Sequence, residues 1–340
     1  VYWPQYNYSK ASLYSPSIAY SKRKKPSIPV PQIKISVRLT MAPTSSSLKL
    51  RQMLADPNKI IVCPGVYDGY TARMALAGGF DALYMTGAGT SMSRLGMADL
   101  GLATQTEMKE QAEMIANLDP SVPLIADADT GYGSAINVGR TVARYITAGV
   151  AGFHLEDQVA NKRCGHLAGK QLVSREEYYS RIRAAVNMRR QLGSEIVIIA
   201  RTDALQSLGF DEALARLQGA VALGADVAFM EAIETREQVT KVCDAFKGTG
   251  IPVMYGMVQG TKSPRLTVQE AKDVGIKIMV YAAVCLIPVY VSVSRALKKL
   301  KDEGDTEIYG AGISPHAVFD VCGMAELMEF DRQALQGHQV

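Results

Sequence analysis

Three short segments carry residue types that could do chemistry. The first is Lys162-Arg163-Cys164-Gly165-His166, which sets a thiol on flexible backbone among cations. A thiol so placed is expected to ionise below the pKa of about 8.5 of a free cysteine; the alternative is a small buried hydrophobe. The second is Asp127-Ala128-Asp129-Thr130-Gly131-Tyr132-Gly133. Carboxylates at i and i+2 lie on one side of a strand and repel unless a cation or proton sits between them. A divalent ion on oxygen ligands, Mg²⁺ or Mn²⁺, answers that need; a helix cap plus a solvated acid is the alternative. The third is Ala200-Arg201-Thr202-Asp203, where an arginine ends a buried apolar run. Its fork suits a substrate carboxylate or an internal ion pair with Glu231. His154, Glu156 and Asp157 end another run, Asp99 follows an earlier one, and Thr86-Gly87-Ala88 offers backbone N–H groups to an anion.

These segments need a scaffold that brings them to one place. Short β-branched runs alternate with amphipathic stretches at Ile60–Val66, Ala82–Ala88, Pro123–Thr130, Gly152–Gln158, Ile196–Asp203, Val227–Ile233, Pro252–Val258 and Lys277–Ala283. Eight such units predict an α/β fold, a (β/α)8 TIM-type barrel. An open doubly wound sheet is the alternative, but no Gly-x-Gly-x-x-Gly turn follows the first strand. In a barrel the reactive groups belong at the carboxyl ends of the strands, which is where the polar residues fall. Periodicity predicts helices over Ser174–Arg190 and Asp211–Leu223, then Pro288–Lys301 and Ser314–Leu335 beyond the barrel. The last two are extra C-terminal helices, expected to pack against a neighbouring subunit in a homo-oligomer.

Of the 37 Lys and Arg and 33 Asp and Glu, residues 1–40 carry seven of the former and none of the latter, so the remaining 300 residues net −3. That removes the basic face a nucleic-acid partner needs. No apolar run approaches the roughly 20 residues that span a bilayer. Five cysteines without paired spacing suggest neither disulfides nor a zinc cluster. The domain reading is a basic, disordered extension over 1–45, a catalytic barrel over 46–305 and a helical segment over 306–340. A cytoplasmic location is expected, or a mitochondrial one if residues 1–40 are a transit peptide.

The order Asp127-Ala-Asp-Thr-Gly-Tyr-Gly133, Lys162-Arg-Cys-Gly-His166, Ala200-Arg-Thr-Asp203 resembles the isocitrate lyase/phosphoenolpyruvate mutase superfamily over about Leu48 to Met328. The cysteine loop is similar to that of the lyase branch, within it most of all to the fungal 2,3-dimethylmalate lyase and oxaloacetate acetylhydrolase group. The resemblance implies that Thr86, Gly87 and Ala88 bind the substrate's oxy-carboxylate end and that Asp127, Asp129 and Asp99 serve the metal, with Glu156 and His154 beyond them. It implies Arg201 and Glu231 at a substrate carboxylate, Gly165, Gly256, Val258 and Pro288 along the pocket, and C-terminal helices exchanged between the subunits of a tetramer or dimer. Cys164 becomes the general acid, with Tyr84, Glu156 and His166 as further catalytic groups and Tyr84 as the base.

The implied reaction is Mg²⁺-dependent cleavage of the C2–C3 bond of a 2-hydroxy dicarboxylate to an α-keto acid such as pyruvate plus a carboxylate. Hydrolysis of oxaloacetate to oxalate and acetate is the second reading. Two departures from the family pattern stand out. Gly256-Met257-Val258-Gln259 replaces Asn-Met-Val-Glu or Asn-Ile-Thr-Glu, which opens a third reading, a barrel that binds without cleaving. Ala282–Ser294 lacks the arginine that holds a third carboxylate in methylisocitrate-cleaving relatives, which implies a dicarboxylate. Pro288 stands where the hydrolytic relatives are expected to carry serine, which favours cleavage.

Overall fold

The computed structural model describes residues 45–305 and 313–336. The extension expected over 1–45 lies outside them, Ser45 apart. Eight parallel strands close in chain order: β1 (Ile61–Val66), β2 (Leu83–Met85), β3 (Leu124–Asp127), β4 (Gly152–Leu155), β5 (Val197–Thr202), β6 (Val227–Met230), β7 (Val253–Gly256) and β8 (Ile276–Tyr281). β1 pairs with β8, Ile61 against Ile278, so the sheet is a barrel and not an open one. Every apolar run of the sequence becomes a strand. Several stop two or three residues before the run does, because the backbone bends out of the ladder at the polar ends. Asp129 (φ 45°), Tyr132 (φ 64°) and Ala232 (φ 58°) turn there in the left-handed region, which costs a non-glycine residue on the order of 1 kcal/mol.

Alternation along each strand sorts the side chains. Ile61 and Cys63, Tyr84, Ile125, Val197 and Ile199, Val227 and Phe229, Met254, and Ile278 and Val280 fill the interior, while their sequence neighbours Ala126, Phe153, Ile198, Ala228 and Tyr255 pack in the larger core cluster. Extending the inward series one step puts Asp127, His154, Glu156, Arg201, Glu231 and Gly256 in the layer at the mouth. The opposite end is closed by the helix Ser46–Ala55, whose Leu50 and Met53 join the interior cluster.

Helix starts follow local capping. Ser174 accepts from Glu177 N ahead of Arg175–Gln191, and Thr104, Thr235 and Thr267 form capping boxes, each satisfying N–H groups that a bare helix end leaves orphaned. The helix Phe210–Ala222 follows Gly209. Beyond the barrel lies Leu286–Glu303, and the single helix expected over Ser314–Leu335 is instead two, Pro315–Asp320 and Met324–Gln336. Gly323, at φ 86°, takes the bend between them. These helices expose Tyr290, Leu297, Phe319, Leu327 and Phe330. Among the described residues no helix is long and apolar enough to cross a membrane.

Candidate active site

The mouth layer is polar, buried and mutually paired. Arg201, the last inward residue of β5, gives Nε and one terminal nitrogen to Asp203 at 3.0 and 3.2 Å. The same guanidinium lies 3.2 Å from Glu156 and 3.6 Å from Glu231 and over the Phe229 ring at 5.7 Å. The internal ion pair with Glu231, one of the two alternatives in the sequence, is thus present, widened to Glu156 and Asp203. Glu231 accepts from Ala232 N at 2.9 Å and faces His166 Nε2 at 3.2 Å; Arg201 and His166 outweigh its burial and hold it well below the usual carboxylate range.

Asp127 and Asp129 converge, but not by strand alternation. Asp129 lies past the end of β3 in the left-handed region and donates its N–H to Asp127 Oδ1 at 2.9 Å. Burial raises Asp129 to about 6. Asp127 moves the other way, because His154, Lys162 and Arg201 outweigh its burial. Gly87 backs directly onto Asp127 Oδ2, and a methyl group there would collide with it. Thr86 Oγ1 accepts from Gly89 N, and Ala88 continues this short turn.

Among the described residues no three His, Cys, Asp or Glu side chains are grouped so as to hold a metal. Two adjacent buried carboxylates, Asp127 and Asp129, offer oxygen donors only and so fit a hard cation that keeps water and substrate oxygens, as Mg²⁺ or Mn²⁺ does. Asp127 and Asp129 are the residues that would hold it. Asp99 has a different partner. It pairs with Lys162 Nζ, which reaches Asp129 Oδ1 at 2.6 Å from a side chain only 3% exposed. Sequence reading treated Lys162 as part of the thiol's cationic surroundings, whereas the fold spends it on these two carboxylates.

The cysteine loop lies folded over the mouth. Cys164 N donates to Asp99 O at 3.2 Å, and a Cβ on Gly165 would stand 2.5 Å from Arg201 and from Glu231 Cγ. Lys170 ties Gly165 O to Asp203. Gln158, fully buried past β4, grips the loop base by accepting from Arg163 N at 3.0 Å and donating to Arg163 O at 2.9 Å. Neither Gln158 nor Lys170 was legible as a loop clasp. The paired amide and carbonyl partners five residues away leave no pattern in the sequence. The expectation of an easily ionised thiol is overturned. Lys162 is neutralised by acids and Arg163 bonds outward to Ala168 O, so burial first and Asp99 second raise the Cys164 pKa.

Tyr84 Oη lies 2.8 Å from His154 Nε2, and His154 Nδ1 lies 3.5 Å from Asp127 Oδ1. Burial lowers His154 to about 4 and, with Asp127, pushes the Tyr84 phenol well up. Tyr84 therefore does not act as a free phenolate. With the His154 hydrogen on Nδ1 beside the acid, Nε2 accepts from Tyr84. Glu156 also rises far above the usual range, chiefly through burial. Of the remaining predicted residues, Gly256 ends β7 facing Phe229 and Glu231, and Val258 is half-buried just beyond. Pro288 is exposed on the first turn of Leu286–Glu303, on the rim after β8 and outside the buried cluster.

A family model described as phosphoenolpyruvate phosphomutase matches residues 50–301. The chain is 43% identical to 2,3-dimethylmalate lyase of Eubacterium barkeri over 237 residues, 70% of this chain and 80% of that protein. A structure of oxaloacetate acetylhydrolase with the inhibitor 3,3-difluorooxalacetate superimposes with TM-score 0.83 at 50% identity, covering 86% of this chain and 98% of that one. A 2,3-dimethylmalate lyase crystal structure gives 0.83 at 48%, covering 86% and 96%. With the barrel, its polar mouth and the cysteine loop closed over it, these matches lead to one conclusion: the chain belongs to the isocitrate lyase/phosphoenolpyruvate mutase superfamily and is a carbon–carbon lyase of it.

Proposed function

We propose that the chain cleaves the C2–C3 bond of a 2-hydroxy dicarboxylate of the dimethylmalate or methylmalate kind, in a Mg²⁺-dependent reaction that yields pyruvate or a related α-keto acid and a carboxylate. The observation that carries this is the seating of Cys164-Gly165-His166 on the Arg201–Glu231 pair, which brings a protonated thiol to a carboxylate-binding guanidinium. Arg201, freed from part of its acidic surroundings, binds the carboxylate of the departing fragment. Held by Asp127 and Asp129, Mg²⁺ supplies positive charge for oxygen at the α-keto acid end.

Tyr84 takes the substrate's 2-hydroxyl proton as it passes its own to His154 Nε2 at 2.8 Å. The imidazolium so formed is disfavoured by burial and favoured by Asp127, 3.5 Å from Nδ1, so it is short-lived and returns its proton through Tyr84 on turnover. The C2–C3 bonding pair then moves onto the departing fragment as a carboxylate enolate. Cys164 delivers its proton to that carbon; the raised pKa keeps the proton on sulfur until a stronger base forms. The loop closed above the layer excludes water from the enolate.

Oxaloacetate hydrolysis is the second reading, favoured by the likeness to the acetylhydrolase structures; Pro288, which carries no hydroxyl, speaks against it. In the same reading a homo-oligomer covers the apolar side chains that the C-terminal helices expose. The test is a lactate dehydrogenase-coupled assay of pyruvate from a panel of 2-hydroxy dicarboxylates, with and without Mg²⁺, with Cys164→Ser as control. Metal-dependent pyruvate, lost in the variant, is expected. Oxalate from oxaloacetate with no pyruvate from any panel member would replace this reading with hydrolysis, and silence in both would favour a binding protein.

A further inference from the structure

Most glycines around the barrel mouth are forced by packing. A methyl group on Gly87 would enter Asp127, one on Gly165 would stand 2.5 Å from Arg201, and one on Gly65 would enter the Ala282 backbone. Gly256 is different. Its φ is not in the left-handed region, and a Cβ there would first meet Phe229 Cζ at 3.4 Å and Glu231 Oε1 at 3.6 Å, ordinary van der Waals distances. Neither the backbone nor the neighbours require glycine. Yet the residue is buried at the inward end of β7, the series that runs Met254 to Gly256, in the layer that Asp127, His154, Glu156, Arg201 and Glu231 fill with polar side chains. A strand glycine marks a bulge, a bend or a place where a ligand approaches the backbone, and the register shift of β7 lies at Val253/Met254 rather than at Gly256.

What approaches is set by the neighbouring surface. The Phe229 ring, 3% exposed, meets His154 edge-on at 5.8 Å and carries Arg201 over its face at 5.7 Å, so it is the apolar surface nearest the Gly256 gap. A ligand whose carboxylate takes Arg201 has its adjacent carbon close to that ring. We propose that Gly256 is a specificity-determining position: its missing side chain leaves a methyl-sized space against Phe229, which a methyl branch on substrate C3 fills, so that C3-methylated substrates are preferred over unbranched ones and over those with longer branches. This rests on the reaction proposed above and adds the wall that selects among its substrates.

The test compares the wild-type enzyme with Gly256→Ala, which fits without displacing a neighbour, on 2-methylmalates bearing hydrogen, methyl, ethyl or propyl at C3, all of which release pyruvate on cleavage. Relative kcat/KM is measured, and in parallel the dissociation constants of 2-alkylsuccinates, which lack the hydroxyl and cannot be cleaved, by calorimetry. Wild type is expected to gain about fourfold from hydrogen to methyl and to lose that gain again at ethyl and propyl. Gly256→Ala, whose methyl group fills that space, is expected to lose the gain, read within each protein as the ratio of kcat/KM for the C3-methyl member to that for the C3-unsubstituted one. Identical ranking in the two proteins, in cleavage and in binding, would overturn the assignment while leaving the reaction standing. Ranking that shifts in succinate binding with no malate cleaved would uphold the wall and sink the reaction.

Discussion

Gly165→Ala tests how the loop and the barrel mouth fit together. Gly165 is not in the left-handed region, so alanine is allowed by its backbone and the variant isolates the steric effect of one methyl group. That methyl would stand 2.5 Å from Arg201 and Glu231 Cγ, so reaching 3.4 Å, the near limit of ordinary contact, needs a displacement of about 0.9 Å. The neighbours cannot supply it cheaply. Arg201 is held twice by Asp203 at 3.0 and 3.2 Å, and Glu231 by Ala232 N at 2.9 Å. The loop, carrying fewer buried contacts, yields instead and takes Cys164 with it. Misplacing a reacting group by about 1 Å costs on the order of 100-fold in rate, so kcat for pyruvate release should fall by about that factor. The barrel core is untouched, and the melting temperature should move by no more than about 2 °C. Iodoacetamide should label the loosened Cys164 faster than in the parent. A variant retaining more than a third of kcat with unchanged labelling would refute the close seating of the loop.

Asp157→Ala should be costly for stability and not only for activity. Asp157 is fully buried and accepts from Thr202 Oγ1 at 2.6 Å, Asp203 N at 2.8 Å and Arg216 at 3.1 Å. Removing it leaves the buried Thr202 Oγ1 and Asp203 N without their acceptor, while Arg216 keeps Glu212 and Val173 O, a loss of about 2–4 kcal/mol or roughly 10 °C in melting temperature; a shift under 3 °C would disprove the network's role. Alkaline pH should destabilise the fold. Burial raises the pKa of the Cys63 thiol and of the Tyr145 and Tyr178 phenols, while the unfolded chain ionises these at about 8.5 and 10. Their contribution is therefore complete below about pH 8.5 and falls as pH rises through and beyond 10. The urea midpoint should be lower at pH 10.5 than at pH 8, and equal midpoints would contradict the reasoning.

The sites that reading misjudged are those where charge and geometry depend on distant chain. Cys164 sits between cations in sequence, yet one of them is spent on Asp99, 63 positions earlier, and the other points to solvent. The i, i+2 spacing of Asp127 and Asp129 predicts a shared strand face. They meet because the chain turns at Asp129. Gln158 and Lys170 gave no signal, since what makes them clasps is which backbone groups they meet.

The amino-acid sequence by itself determined the eight-unit barrel, through β-branched runs of strand length alternating with amphipathic stretches, and with it the end of the barrel that bears the chemistry. Period-two alternation is a local property, so Asp127, His154, Glu156, Arg201 and Glu231 could be assigned to one mouth without coordinates. Only the tertiary structure decided the charge state around them, because burial and pairing come from the residues that close over a group. The same holds for the free wall at Gly256: a glycine reads alike in sequence whether its neighbours demand it or leave it a choice.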